Sequence, residues 1–277
     1  MYFAKFLVGT GAVLVVMFSV AVWLWQGALL YHPRPYDPAM LTMLPPRLVE
    51  LAYRTEQGKQ VAFYLPPHDG KTPKVLWVLF AGNGSLGLEW LRHLRPSAAP
   101  RAGWLFVDYP GYGHCSGRSS RGAIRTSSDD ALIALQQYLP SLRPIVEGSL
   151  YVMGHSLGAA VALEFATRHV TQHVVLLAPF TSMYDIAASV VVWPLTLLLR
   201  ERYDNRQALA LLAQHHPSPL ITLLHGADDE VVPVTMGRVL GQEFPTLVTY
   251  HELPGVDHNL LSAALPLLAK VLPGREE

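Results

Sequence analysis

Apolar runs of four to seven residues recur along this 277-residue chain at 75–80, 104–107, 150–153, 174–178, 220–224 and 247–253. A strand with one face in water alternates in polarity with period two, so runs that are apolar almost throughout belong to strands covered on both faces. Stretches with helical spacing fall between them, at 86–94, 126–139, 157–169, 206–214, 235–244 and 259–271. Two earlier runs, 48–53 and 61–65, are joined across Gln57-Gly58-Lys59 and predict an opening antiparallel pair. Together the runs predict an α/β fold, with an eight-stranded, mostly parallel sheet and helices on both faces. Reactive side chains in such a sheet gather at the carboxyl ends of its strands.

One strand-to-helix junction reads Tyr151-Val152-Met153-Gly154-His155-Ser156-Leu157-Gly158-Ala159-Ala160. The two glycines flanking the serine remove Cβ atoms that would collide in a sharp turn, and Ala159 and Ala160 let the next helix stay close to the strand it leaves. A serine hydroxyl is a poor nucleophile at neutral pH and needs such a mounting, with a base in reach of Oγ. Ser156 is therefore the candidate nucleophile. So short a pattern also arises by chance, so its weight rests on the rest of the chain. Asp228 and Asp229 follow the 220–224 run, and His258 follows the 247–253 run on a loop of small and polar residues.

In Gly154-His155-Ser156-Leu157-Gly158, in His225-Gly226-Ala227-Asp228-Asp229-Glu230-Val231-Val232-Pro233 and in Gly255-Val256-Asp257-His258-Asn259, the sequence resembles the α/β-hydrolase family. The likeness is to its membrane-anchored branch of Bem46-like and ABHD-type serine hydrolases, and it covers about residues 29–272. It implies the α/β-hydrolase fold and a triad of Ser156, Asp229 and His258, in the chain order this fold uses. His258 would take the Ser156 proton and return it to the leaving group, and the acid would fix the imidazole tautomer. Family spacing sets the acid four residues before the proline of Val-Pro, which selects Asp229 over Asp228. The oxyanion hole would use the backbone amide of Leu157 and a second amide from Phe80-Ala81-Gly82-Asn83-Gly84-Ser85, at Asn83. Where the family's loop commonly reads His-Gly-Asn, this chain has Ala81-Gly82-Asn83; backbone donation survives, and the sequence leaves open how the loop is braced. Asp108-Tyr109-Pro110-Gly111-Tyr112-Gly113 resembles the family's loop after the next strand and is expected to be structural, with Arg118, Arg121 and Arg125 beside it in solvent.

Composition narrows the alternatives. With 21 basic and 21 acidic residues the formal net charge is zero, which argues against nucleic-acid binding. His215 and His216 are adjacent, no His-Glu-x-x-His pattern occurs, and the single cysteine, Cys115, cannot build a thiolate site, so no metal is expected. A glycine fingerprint for nucleotides is also missing, and no cofactor is expected. Cys115 itself is expected to be packed rather than reactive.

Residues 6–25 carry no charge, and as a helix they are long enough to cross roughly 30 Å of hydrocarbon. Trp23, Trp25 and Tyr31 near the far end suit the headgroup level. A cleaved signal sequence is the competing reading, but the apolar stretch is long for one and no convincing small-residue cleavage site follows. The expected organisation is an anchor at 1–31, a proline-rich connector at 32–46 that spaces the enzyme from the bilayer, and a catalytic domain at 47–277 with a short lid-like insertion near 183–217. The expected function is a single-pass membrane serine hydrolase, its catalytic domain outside the cytoplasm, cleaving lipid or small acyl esters through an acyl-enzyme. Acyl-protein thioesterase and serine peptidase share that chemistry, and a noncatalytic membrane scaffold is the alternative from another class.

Overall fold

The computed structural model describes residues 17, 20, 23–28, 30–93, 101–190, 196, 199–215 and 217–271. Its centre is an eight-stranded sheet: β1 (Val49–Thr55), β2 (Gly58–Leu65), β3 (Val75–Phe80), β4 (Ala102–Val107), β5 (Leu150–His155), β6 (His173–Leu177), β7 (Leu220–Gly226) and β8 (Val248–Leu253), in the order β1-β2-β4-β3-β5-β6-β7-β8. The β1–β2 and β2–β4 pairs are antiparallel and every later pair is parallel. β3, β4 and β6 are buried along their whole length, which is why their sequences show no alternation. Trp77 and Trp104 are register partners and stack at the centre with centroids 5.8 Å apart.

Besides a single turn at Pro38–Leu41, the helices named among the described residues are α1 (Arg121–Tyr138), α2 (Arg143–Gly148), α3 (Leu157–Ala166), α4 (Met183–Val190), α5 (Asn205–Leu212), α6 (Val234–Glu243) and α7 (Leu261–Val271). The connections β4→β5, β5→β6, β6→β7 and β7→β8 all advance the same way along the sheet, so right-handed crossovers put α1, α3, α5 and α6 on one face. The β3→β4 connection steps backwards, which carries its 3₁₀ turn, Gly87–Arg92, to the other face. There it meets α7, through a 2.9 Å hydrogen bond between His93 Nδ1 and Ser262 Oγ.

Several expected boundaries move. The helix expected at 86–94 is the 3₁₀ turn Gly87–Arg92. Helix α1 starts at Arg121 instead of 126 because Ser120 caps it, its side chain accepting from the Ala123 amide at 3.1 Å. Strand β7 runs two residues further, to Gly226, and so carries His225 into the sheet.

Residues 31–37 form neither helix nor strand, as the prolines favour, but the segment lies on the domain rather than standing off from it. Tyr31, Tyr36 and Met40 are buried in the same core as the sheet. The reason is composition: among the prolines sit two aromatic rings and a methionine, whose burial outweighs a free, solvated connector. Among the described residues no helix is long and apolar enough to cross a membrane; the run 6–25 lies outside them except at 17, 20 and 23–25. Met17, Val20, Trp23, Leu24 and Trp25 are all exposed. Of the lid-like insertion near 183–217, α4 and α5 are described, whereas 191–195, 197, 198 and 216 lie outside the described residues.

Candidate active site

Ser156 sits at the end of β5 with φ 53° and ψ −117°, a conformation that side chains with a Cβ seldom adopt. Tight packing holds it there. A Cβ on Gly154 would lie 2.0 Å from the Gly158 carbonyl oxygen, and one on Gly158 would lie 2.1 Å from the Phe80 carbonyl oxygen. The Ser156 amide donates to the Leu177 carbonyl at 2.8 Å, so the neighbouring strand also fixes the turn. The strain is thus imposed by the strand-turn-helix packing, and it lifts the serine off the sheet edge.

The carboxyl ends of β7 and β8 bring an acid and an imidazole together. Asp229 Oδ2 lies 2.7 Å from His258 Nδ1, while Asp228, one residue earlier, is exposed. The other carboxylate oxygen, Oδ1, accepts the amides of Val231 at 2.9 Å and Val232 at 2.8 Å. Burial by itself would raise the Asp229 pKa, but hydrogen bonds from His225, His258 and the Val232 amide outweigh it and hold the carboxyl well below the usual range. An ionised carboxylate only accepts, so His258 carries its proton on Nδ1 and presents a lone pair at Nε2, the state a general base requires. In this conformation no hydrogen bond joins His258 to Ser156 Oγ among the described residues.

Two further histidines shape this pair. His225 is fully buried, with Nε2 2.9 Å from the Val232 carbonyl and 3.2 Å from Asp229 Oδ2. Its N–H is thus shared between that carbonyl and Oδ2, the same carboxylate oxygen that His258 contacts. His155 donates through Nε2 to the His258 carbonyl at 2.9 Å, and the two rings lie 4.8 Å apart. Burial pushes the His155 pKa down to about 4, so it stays neutral and keeps that bond at physiological pH.

The loop after β3 meets the elbow directly, since Gly158 has no room for a Cβ between helix α3 and the carbonyls of Phe80 and Ala81. Leu157 is the first residue of helix α3, directly after the nucleophile, and among the described residues neither its amide nor that of Asn83 takes part in a turn or loop backbone bond. The bracing that a family histidine would supply comes from elsewhere. Tyr109 Oη donates to the Ala81 carbonyl at 2.7 Å, and Tyr112 Oη donates to Asn83 Oδ1 at 2.8 Å. The loop 108–113 is thus structural, as its sequence predicts. Asp108 is buried, accepts from the Gly87 amide at 2.8 Å and from Tyr36 Oη at 2.7 Å, and burial raises its carboxyl to about 6. Cys115 is packed, accepting the Val61 amide at 3.3 Å, and burial raises its thiol to about 12. Arg121, expected in solvent, is 42% exposed at its side chain and also pairs with Glu164 at 2.6 Å.

Sequence reasoning missed His225, the contribution of residues 30–36 and the roles of Tyr109 and Tyr112. Only His225 left a signal, four residues before the acid at the end of a strand, and eleven other histidines obscured it.

The described geometry combines a serine on a strained elbow after β5 with a buried carboxylate–imidazole pair after β7 and β8, on a sheet that reverses order around β3 and β4. The model of the alpha/beta hydrolase family matches residues 77–219, just over half of the chain. The chain belongs to that family. An uncharacterized protein of Mycobacterium tuberculosis is 29% identical over 250 residues, covering 88% of this chain and 83% of its own length. Alpha/beta hydrolase domain-containing protein 17B of Xenopus laevis is 27% identical over 154 residues, or 55% of this chain and 49% of that protein. Among solved structures, an alpha-beta hydrolase from Vibrio vulnificus superposes with a TM-score of 0.67 at 18% identity, covering 86% of each chain.

Proposed function

We propose that this protein is a membrane-anchored serine hydrolase of carboxylic esters. The 2.7 Å contact between Asp229 Oδ2 and His258 Nδ1, beside a serine held at positive φ, carries the reading. Ser156 Oγ attacks the ester carbonyl as His258 Nε2 takes its proton, with Asp229 stabilising the imidazolium. The amides of Leu157 and Asn83 hold the oxyanion. The alcohol leaves with the proton from His258, and water, activated by the same imidazole, then releases the acid from the acyl-enzyme.

The substrate class is a lipid or small acyl ester, and residues 6–25 are the anchor, a single span with the domain outside the cytoplasm. Two observations support a site close to the bilayer. The exposed Met17, Val20, Trp23, Leu24 and Trp25 are apolar and consistent with lipid contact. Asn83 Nδ2 donates to the Leu30 carbonyl, and Leu30 is five residues past Trp25, a rise of about 7.5 Å along a helix. An ester held in the headgroup region is then within reach of the oxyanion loop.

The test is labelling by a fluorophosphonate probe together with hydrolysis of p-nitrophenyl esters. Both should vanish in Ser156→Ala; labelling or hydrolysis at the wild-type level in that variant would sink the assignment. Across a chain-length series of esters, kcat/KM should rise with acyl length, and a flat profile would remove the lipid reading.

A further inference from the structure

The residues directly after the apolar N-terminal run do more than link it to the domain. Asn83, proposed above as an oxyanion donor through its backbone, has its side chain clamped by that segment. Its Nδ2 donates to the Leu30 carbonyl and lies 2.8 Å from His32 Nδ1. Its Oδ1 accepts from the His32 amide at 3.1 Å and from Tyr112 Oη at 2.8 Å, and the His32 amide also reaches Tyr112 Oη at 2.9 Å. An amide nitrogen only donates, so His32 accepts at Nδ1 and the orientation of the Asn83 amide is settled by its partners.

The clamp continues along the same segment. Arg34 Nη2 lies 2.6 Å from both carboxylate oxygens of Glu89, and its Nε donates to the Gly84 carbonyl. Glu89 in turn accepts the Leu86 amide at 3.0 Å, at the start of the 3₁₀ turn. The Arg34 carbonyl accepts the Gly113 amide at 2.9 Å. Every residue from Asn83 to Leu86 except Ser85 is thus bonded to residues 30–34 directly or through Glu89. Among the described residues, the stretch's own backbone bonds run from the Ser85 amide to the Gly82 carbonyl and from the Glu89 amide to the Leu86 carbonyl, both at 3.1 Å.

We propose that the segment 30–34 is a positioning element of the active site: through His32 and Arg34 it aims the Asn83 amide at the oxyanion, so catalytic competence depends on the chain next to the anchor. The proposal rests on the serine-hydrolase reading. A backbone donor stabilises a transition state only if it is already aimed, and displacement by about 1 Å costs up to about 100-fold in rate. Loosening the clamp therefore lowers kcat while leaving substrate binding and the His258–Asp229 pair as they were.

The experiment uses the full-length protein in detergent and compares wild type with Asn83→Ala, His32→Ala and His32→Asn. Asn83→Ala keeps the backbone amide and removes every bond of the Asn83 side chain, leaving those of Arg34; His32→Asn restores an acceptor near Nδ1. Expected are a fall in kcat of about 10- to 100-fold for Asn83→Ala and a smaller fall for His32→Ala, with KM within about threefold and partial rescue in His32→Asn. The affinity of a trifluoromethyl ketone, which forms the oxyanion, should fall in parallel with kcat/KM across the series. A merely structural role would lower thermal stability without that parallel. Hydrogen exchange over residues 82–88 should speed up in both alanine variants, a readout that needs no substrate. Unchanged kcat and unchanged exchange in Asn83→Ala overturn the proposal while Ser156-dependent hydrolysis by wild type stands. Loss of Ser156 dependence in wild type overturns the hydrolase reading, and the exchange result then decides whether the clamp exists.

Discussion

Asp229→Asn tests the site at its most constrained atom. Oδ1 is committed to the amides of Val231 and Val232 at 2.9 and 2.8 Å, and those amides can only donate. The asparagine carbonyl must therefore keep the Oδ1 position, which places its NH₂ where Oδ2 was, 2.7 Å from His258 Nδ1. An N–H there requires Nδ1 to accept, so His258 must move its proton to Nε2. That removes the lone pair that would receive the Ser156 proton. His225 meets the same N–H from 3.2 Å but keeps its 2.9 Å bond to the Val232 carbonyl, so the fold loses only about 1–2 kcal/mol. The equivalent exchange in a serine-protease triad lowers kcat about 10⁴-fold. A fall of about 10³- to 10⁴-fold in kcat/KM is expected here, or about 4–5.5 kcal/mol of lost transition-state stabilisation. The assay is p-nitrophenyl butyrate hydrolysis, with a thermal melt to show that the variant is folded. The exposed Asp228, changed to Asn, should stay within about twofold of wild type. A folded Asp229→Asn variant retaining more than a tenth of wild-type kcat/KM would refute the tautomer reasoning.

Three other outcomes follow from the packing and the buried charges. Gly158→Ala puts a methyl 2.1 Å from the Phe80 carbonyl oxygen, an overlap that costs at least about 3 kcal/mol, so its urea midpoint should drop sharply; a wild-type midpoint contradicts the elbow geometry. Tyr36→Phe strips a partner from the buried Asp108 and from the Leu88 amide, and should lower stability by about 1–3 kcal/mol in the same measurement. His173 is buried against Thr222 Oγ1 at 2.9 Å, and burial pushes its pKa down to about 4 from 6.5. The unfolded chain takes up that proton first, so the stability His173 contributes is full above pH 6.5 and is lost as pH falls towards 4. That lowering corresponds to about 3 kcal/mol. The stability gap between wild type and His173→Gln should move by up to that amount in favour of the variant between pH 7 and 4, measured by urea unfolding at each pH; a constant gap argues against a neutral buried imidazole.

Much of the molecule was legible before any coordinates. The 75–80 run became β3 without a residue's change, because a strand buried on both faces must be apolar at every position. The elbow was legible because only glycine fits at 154 and 158, and that requirement is local. Helix α1 was read short at its start because residues 121–125 carry two arginines and a glycine, and only the Ser120 cap marks them as helix. The choice between Asp228 and Asp229 needed family spacing, since the two are chemically identical neighbours. The fold separates them by pointing one into solvent and burying the other against two histidines.

By itself the sequence determined the layered α/β architecture, the order of the serine, acid and histidine motifs, and an uncharged N-terminal run of membrane length, since each run or motif is recognised from residues close together in the chain. Tertiary structure alone decided which partners complete the site. Asn83 meets His32 from 51 residues away and Tyr112 from 29, and His155 reaches His258 across 103. Hydrogen bonds over such separations leave no periodicity in the chain; they exist only once parallel strands have brought their carboxyl ends to a common edge and the segment after the apolar run has been laid across it.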